Sequence, residues 1–98
     1  MIIVGGSFQL DASEREQFLA GRVELMRTSR AEPGCLEYTF AADPVDPERV
    51  VLFERWESQE ALDAHLARLR LAPPTGGVAP RSSTIAFYDV ARERPMGR

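Results

Sequence analysis

The chain has 98 residues, the size of one small domain. Its formal net charge of −3 excludes a surface built to hold nucleic-acid phosphates, because such a surface concentrates positive charge. The single cysteine and single histidine exclude an intramolecular disulfide and a zinc site made of Cys and His ligands. No apolar run is long enough to cross a membrane and no secretory leader opens the chain, so we expect a cytoplasmic protein.

A strand is predicted over residues 1–10, where β-branched residues lead into an alternating pattern. The strand is interrupted by Gly5-Gly6, and adjacent glycines inside a strand mark a bulge or a close backbone approach. A phosphate-binding loop is the alternative that the glycines raise. It has little support, since neither a dinucleotide fingerprint nor a Lys-Ser/Thr pair follows.

The next segment predicts a helix that ends near residue 30. Ser13 and Glu16 have the spacing of a capping box, in which each side chain bonds the backbone N–H of the other residue. Arg22 falls mostly outside the apolar stripe, and Pro33-Gly34 stops the helix. The stripe itself consists of Phe18, Leu19, Val23, Leu25 and Met26.

Two strands joined by a turn follow, and the pair reads as an antiparallel hairpin. The strands cover Cys35–Ala42 and Arg49–Trp56, and the turn between them is rich in Asp and Pro. The second strand is apolar on both faces over residues 50–53. A sheet with helices on one side normally exposes its other side to solvent, where polar residues are expected. A second copy of the chain is the simplest cover for that face.

The second half of the chain predicts one more helix and one more strand. Ser58 is a plausible N-cap for a helix that fades near Leu71, and His65 lies on its inward face. The segment Pro73–Ser82 is rich in Pro and Gly and is predicted to be a loop. Thr84–Val90 reads as the last strand.

The element order β-α-β-β-α-β predicts an α+β, ferredoxin-like fold. Its four-stranded antiparallel sheet would carry both helices on one face. The free face would pair with the sheet of a second protomer in a homodimer. We expect one domain over residues 1–98, with residues 92–98 as a frayed tail.

Three motifs resemble the antibiotic biosynthesis monooxygenase family. They are EPGC at residues 32–35, E-x-W-x-S at residues 54–58 and EALDAHL at residues 60–66. The resemblance implies the dimeric α+β barrel of that family, which agrees with the second copy inferred above. It also implies an oxygenase, since some members oxidise quinols or polycyclic aromatic polyketides without metal or flavin, while others degrade haem.

The haem-degrading branch of the family fits this sequence poorly. Those relatives have an Asn on the first strand, a Trp on the second helix and a haem-ligating His about ten residues later. This chain has Ser7 on the first strand, His65 at the helix position and no histidine over residues 72–75. The resemblance therefore points to the branch that uses no cofactor.

A cofactor-free oxygenase needs a base with a pKa near neutrality, in a dry pocket with donors for a developing anion. His65 is the only side chain whose unperturbed pKa suits the base. Trp56 and Tyr38 could form a flat aromatic wall, and Phe87 or Tyr88 could close the far side. The groups nominated to stabilise the anion are Arg55 and Ser7. The expected partners are a small aromatic substrate and O2.

Structural explanations compete with each of these assignments. A histidine on an apolar helix face is more often a packing residue, and Glu54 and Glu57 read as charges at solvent or an interface. Two other functions stay open, namely a non-catalytic dimeric module that binds a small apolar ligand and a non-oxidative isomerase or cyclase. A cavity lined by His65 and Trp56 would favour an enzyme, whereas a solid core there would favour the module.

Overall fold

A computed structural model, which describes residues 1–72 and 77–97, is built on one four-stranded antiparallel sheet. The central strand β1 pairs with β3 on one side and β4 on the other, and the spatial order is β2-β3-β1-β4. This order confirms the predicted ferredoxin-like fold and the predicted hairpin. The strands are β1 (Ile2–Gln9), β2 (Cys35–Ala42), β3 (Arg49–Trp56) and β4 (Ser82–Asp89).

The helical segments differ from the prediction at the start of the chain. The predicted capping box is wrong, because Ser13 lies inside a 3₁₀ turn (Ala12–Glu14) and the caps there make no side-chain hydrogen bond. The predicted single helix is also broken at Gly21 and Arg22, since glycine is a poor helix former. The helices are α1 (Arg15–Ala20), α2 (Val23–Arg30) and α3 (Gln59–Leu71).

The third helix begins as predicted. The hydroxyl oxygen of Ser58 accepts a hydrogen bond from the backbone N–H of Ala61 at 3.1 Å, which satisfies one donor of the first turn. Within the predicted loop, residues 73–76 lie outside the described part of the chain, and β4 starts at Ser82. In the described residues, no helix is both long and apolar enough to cross a membrane.

The core is the layer of side chains between the sheet and the helices. Successive strand residues point to opposite faces, so Val50, Leu52 and Trp56 of β3 face the helices and are buried. Val51, Phe53 and Arg55 face the other side, and the Phe53 side chain is 38% exposed there. We call that side the open face of the sheet. The sequence prediction that β3 is apolar on both faces is confirmed.

One part of the core is a cluster of three phenylalanine rings, Phe8, Phe18 and Phe40, whose centroids lie 5.5 to 6.2 Å apart. The prediction that Arg22 lies outside the core stripe is wrong. Because the helix breaks beside it, Arg22 folds over this cluster, with its guanidinium carbon 4.4 Å from the Phe18 centroid. Burial lowers the pKa of Arg22.

Helix α2 also covers the free edge of strand β2. The Met26 sulfur accepts a hydrogen bond from the Phe40 backbone N–H at 3.4 Å, and Arg30 Nε donates to the Tyr38 carbonyl at 2.8 Å. An uncovered strand edge presents unpaired backbone groups to other chains, and these two contacts satisfy one acceptor and one donor of that edge.

Two glycines permit close approaches that larger residues would block. A Cβ at Gly6 would overlap the Thr84 carbonyl, so β1 and β4 come together there as the glycine pair predicted. Gly34 has φ +83°, and a Cβ on it would lie 2.5 Å from the Ala61 Cβ. The turn between α2 and β2 therefore rests against α3, which brings Glu32 within reach of that helix.

Candidate functional site

His65 lies on the inner face of α3, as the helical spacing predicted, and is 1% exposed. Its ring lies 4.7 Å from the Trp56 ring and 5.2 Å from the Tyr38 ring, measured between centroids. Its Nδ1 lies 2.8 Å from Oε1 of Glu32. The imidazole is therefore enclosed by two aromatic rings and held on one side by a carboxylate.

Glu32 connects this buried imidazole to the protein surface. Its side chain is 7% exposed, and its second carboxylate oxygen forms an ion pair with Arg68, whose Nη1 lies 2.9 Å away. Arg68 lies one helical turn after His65, and its side chain is 54% exposed. We call these three residues the Glu32–His65–Arg68 array.

Glu54 is a second buried carboxylate, so the prediction of a solvent or interface charge is wrong for this residue. It is 5% exposed, because it shares the inner face of β3 with Trp56. The Trp56 indole N–H donates to its Oε1 at 2.9 Å. Burial raises the pKa of Glu54, while the Trp56 hydrogen bond and nearby His65 oppose that rise. Glu57, in contrast, is exposed as predicted.

Tyr38 forms the other aromatic wall and is 3% exposed. Burial and, after it, the Glu54 carboxylate raise the pKa of Tyr38 well above its usual value. The phenol is therefore neutral at physiological pH. We call His65, Trp56 and Tyr38 the histidine cluster. The Tyr38 ring centroid lies 6.0 Å from that of Phe40, which connects the histidine cluster to the three phenylalanines.

The sheet separates the sequence-predicted site residues into two groups. His65, Trp56 and Tyr38 lie together on the helix side. Ser7 and Arg55 lie on the open face, where Arg55 is within 3.4 Å of Glu93. Within one protomer, neither Ser7 nor Arg55 reaches the imidazole.

The two aromatic residues nominated to close the pocket also lie on opposite faces. Tyr88 is on the open face, 54% exposed, with its ring edge over Gly5. Phe87 shares the helix side with His65, but it belongs to the edge strand β4 and is 61% exposed. Phe87 is therefore the one of the two that borders the same layer as the imidazole.

The histidine cluster is solidly packed in the single chain. Trp56 is fully buried and His65 nearly so, and the distance between their rings leaves no room for a ligand. An open groove of about 380 Å³ lies elsewhere, along α2. It is lined by Val23, Met26, Arg27 and Arg30, and the sequence analysis nominated none of these as a site residue.

The sequence analysis missed two members of this site, Glu32 and Glu54. Glu54 had a usable signal, since it alternates in step with Leu52 and Trp56 on the face that packs against the helices. Glu32 had no comparable signal, because it meets His65 across 33 residues of sequence. In the described part of the chain, no group of three or more His, Cys, Asp and Glu side chains is arranged to hold a metal ion.

Comparisons with known proteins agree with this fold. The model of the family described as antibiotic biosynthesis monooxygenase matches residues 1–69. An uncharacterized protein of Synechocystis sp. is 34% identical over 64 residues, which make up 65% of this chain and 44% of that protein. The chain thus matches less than half the length of this relative.

Solved structures share the fold over nearly the whole chain. An antibiotic biosynthesis monooxygenase is 29% identical with a TM-score of 0.73, covering 94% of this chain and all of its own. A Deinococcus radiodurans protein, provisionally assigned to the same class, is 20% identical with a TM-score of 0.79 over both full chains. The heme-degrader MhuD of Mycobacterium tuberculosis, with two hemes bound in its active site, is 15% identical with a TM-score of 0.73, covering 97% of this chain and all of its own.

Haem does not fit the residues of this chain. The only imidazole, His65, is 1% exposed and is enclosed between Trp56 and Tyr38. A haem iron could reach it only after the core had been taken apart. The likeness to MhuD, at 15% identity, is a likeness of fold.

Proposed function

The chain belongs to the antibiotic biosynthesis monooxygenase family, and we propose that it is a cytoplasmic, cofactor-independent monooxygenase. Its substrate is a small quinol-type or polycyclic aromatic molecule of the polyketide kind, and its oxidant is O2. One observation carries the proposal, namely a titratable imidazole buried between a Trp and a Tyr ring with a carboxylate on its Nδ1. A titratable side chain that is enclosed beside a charged partner is a candidate for a functional site.

His65 acts as the base in this reaction. It takes a proton from the substrate, and the resulting anion is electron-rich enough to reduce O2 without a metal or flavin. The low dielectric of the cluster strengthens electrostatic interactions with the anion. In this proposal Tyr38, a neutral phenol, donates a hydrogen bond to that anion.

The oxygen atoms and protons balance without a further reductant. The substrate anion and O2 form a carbon–oxygen bond and give a peroxide. A second substrate proton then leaves, the O–O bond breaks, and the carbon keeps one oxygen atom as a carbonyl. The other oxygen atom departs as water, which takes up that second substrate proton and the proton held by His65. All the electrons come from the substrate.

The substrate enters from the β4 side of the layer. Burial is incomplete there, since Ile85 of β4 packs against the core but is only partly buried. Phe87, at the same border, is largely exposed. A flat aromatic ring that inserts at this border displaces part of the packed cluster, and its contacts with Trp56 and Tyr38 offset the aromatic contacts that are lost. Trp56 and Tyr38 then form the walls of the site.

A second copy of the chain covers the open face in this proposal. That face carries apolar side chains that are partly exposed, Phe53 and Tyr88 among them, and a free monomer gains nothing from exposing them. An isologous pair of sheets would bury both copies of this surface. Sedimentation analysis tests this proposal, with a dimeric mass expected for the wild type and a monomeric mass for Phe53→Asp.

One observation favours a second candidate function, a non-catalytic module that binds a small apolar ligand. His65 and Trp56 are packed solidly in the single chain, the arrangement expected of a structural core. An isomerase or cyclase lies between the two candidates, since the same base would serve it.

Oxygen uptake separates these candidates. The wild type is tested on anthrones, naphthohydroquinones and simple quinols in the presence of a chelator. His65→Gln is the informative variant, because its amide can still donate to Glu32 while it removes the base. Glu57→Gln, an exposed change on the neighbouring turn, is the control.

The monooxygenase proposal predicts uptake that survives the chelator, falls on the order of 10²-fold in His65→Gln and is unchanged in Glu57→Gln. Uptake that is equal in His65→Gln would contradict the site. No uptake on any substrate, from a folded protein, would favour the module. Conversion of a substrate without oxygen uptake would favour the isomerase or cyclase.

A further inference from the structure

Glu32 is the only described residue within hydrogen-bond distance of the His65 imidazole. In the described part of the chain, the neighbouring Trp56, Tyr38 and Glu54 make no hydrogen bond to the ring, although the Glu54 carboxylate interacts with it electrostatically. The Trp56 N–H donates to Glu54, and the Tyr38 ring meets the imidazole through an edge contact at 5.2 Å. The state of the imidazole nitrogens is therefore set by one contact, which joins its Nδ1 to the Glu32 carboxylate at 2.8 Å.

The carboxylate in this contact has a defined hydrogen-bonding role. Its Oε2 forms an ion pair with the Arg68 guanidinium at 2.9 Å, and Oε1 is the oxygen that faces His65. With Arg68 beside it the group acts as an acceptor, and an acceptor requires a hydrogen on the nitrogen that it faces.

We propose that Glu32 is a positioning residue that holds neutral His65 in the tautomer with hydrogen on Nδ1, which leaves Nε2 as the basic nitrogen. This inference rests on the proposed function, in which His65 takes the substrate proton. A carboxylate that orients a histidine and stabilises its protonated form is a recurrent arrangement where imidazole acts as a base. Glu32 also stabilises the imidazolium that forms once the proton has been taken.

The burial of the array separates it from an ordinary surface ion pair. The exposed fraction of the side chains rises from 1% at His65 through 7% at Glu32 to 54% at Arg68. The carboxylate is therefore shielded where it meets the imidazole and anchored where it meets solvent. Since Glu32 comes from the turn after α2 and His65 from α3, the contact forms only when the chain has folded.

Nitrogen NMR of the wild type, labelled with ¹⁵N-histidine, tests the inference without any substrate. The chain has one histidine, so its two ring nitrogens are assigned without ambiguity. The neutral form is expected to show a protonated Nδ1 and an unprotonated Nε2. A spectrum dominated by hydrogen on Nε2 would overturn the inference.

Replacing Glu32 tests whether this residue sets the tautomer. Glu32→Met has similar volume but cannot accept a hydrogen bond, so a mixture of the two tautomers is expected, with kcat on active substrates reduced on the order of 10²-fold. Glu32→Gln keeps an acceptor oxygen and is expected to recover part of both signals. Glu57→Met, at an exposed glutamate, is the matched control and should resemble the wild type.

The two readouts keep this inference apart from the proposed function. An unchanged tautomer in Glu32→Met would overturn the inference, even if His65 proves essential for turnover. If the wild type shows no turnover but has hydrogen on Nδ1, and this preference is lost in Glu32→Met, then the assignment of Glu32 is supported and the monooxygenase proposal fails. If Glu32→Met folds poorly, the wild-type spectrum and that of Glu32→Gln carry the test.

Discussion

The two halves of the core layer share one sheet but differ in chemistry. One half, the phenylalanine half, consists of Phe8, Phe18 and Phe40, whose rings pack against one another with the Arg22 guanidinium over the Phe18 ring. The other, the histidine half, packs His65 and Trp56 with two buried carboxylates, Glu32 and Glu54. Tyr38 touches both halves.

The difference between the two halves shows that burial has different energetic consequences in neighbouring parts of one core. Hydrocarbon rings stabilise the fold in proportion to the apolar area that they remove from water. Buried charges must recover a large desolvation penalty through their hydrogen bonds, so they add little net stability over a well-packed apolar core. Stability therefore explains the phenylalanine half but does not explain the polarity of the histidine half.

The largest expected effect comes from breaking the phenylalanine half. Phe18 is fully buried, so Phe18→Ala should lower the free energy of unfolding by about 3–5 kcal/mol, measured by urea denaturation. Phe87→Ala is the matched control, because Phe87 is 61% exposed and its loss leaves no cavity. Similar losses from the two substitutions would mean that Phe18 does not sit in a close-packed interior.

A smaller effect, which depends on pH, is expected in the histidine half. Burial raises the pKa of Glu54, so the folded chain holds this proton more tightly than the unfolded chain does. The stability contributed by this proton is present at low pH and is lost as pH rises through the folded-state pKa. Glu54→Gln has no carboxyl proton to release, so its stability does not fall in this way as pH rises. Its amide oxygen can still accept the Trp56 hydrogen bond.

Melting temperatures of Glu54→Gln and the wild type across pH 4–8 measure this effect. The stability of the variant relative to the wild type should grow as pH rises. Glu57→Gln should follow the wild-type curve, since Glu57 is exposed. Parallel curves for Glu54→Gln and the wild type would contradict the assigned protonation behaviour.

The sequence predicted the fold well because its signals were local. Alternation defined the strands, the Asp- and Pro-rich turn defined the hairpin, and Ser58 marked the start of α3, where the structure shows the cap. The break at Gly21 was not predicted, because an apolar stripe continued across it and concealed the low helix propensity of that position. Arg22 then acquired a position that no helical wheel of one continuous helix assigns.

The site was predicted only in part, because its contacts are long-range. His65, Trp56 and Tyr38 were found through residue type and the inward helical face, and they lie together. The side of the sheet was the weak point, since Arg55 follows the buried Glu54 directly and therefore points the opposite way. The prediction that Glu54 is a charge at solvent or an interface was wrong for the same reason.

The most direct test of the claim that the histidine half serves chemistry rather than stability is urea denaturation of Glu32→Met/His65→Leu. This double variant replaces the buried pair with apolar side chains of similar volume and leaves Arg68 at the solvent. The account predicts a free energy of unfolding within about 1 kcal/mol of the wild type or above it. A loss of about 3 kcal/mol or more, comparable to that expected for Phe18→Ala, would contradict it and make the polar cluster a structural element.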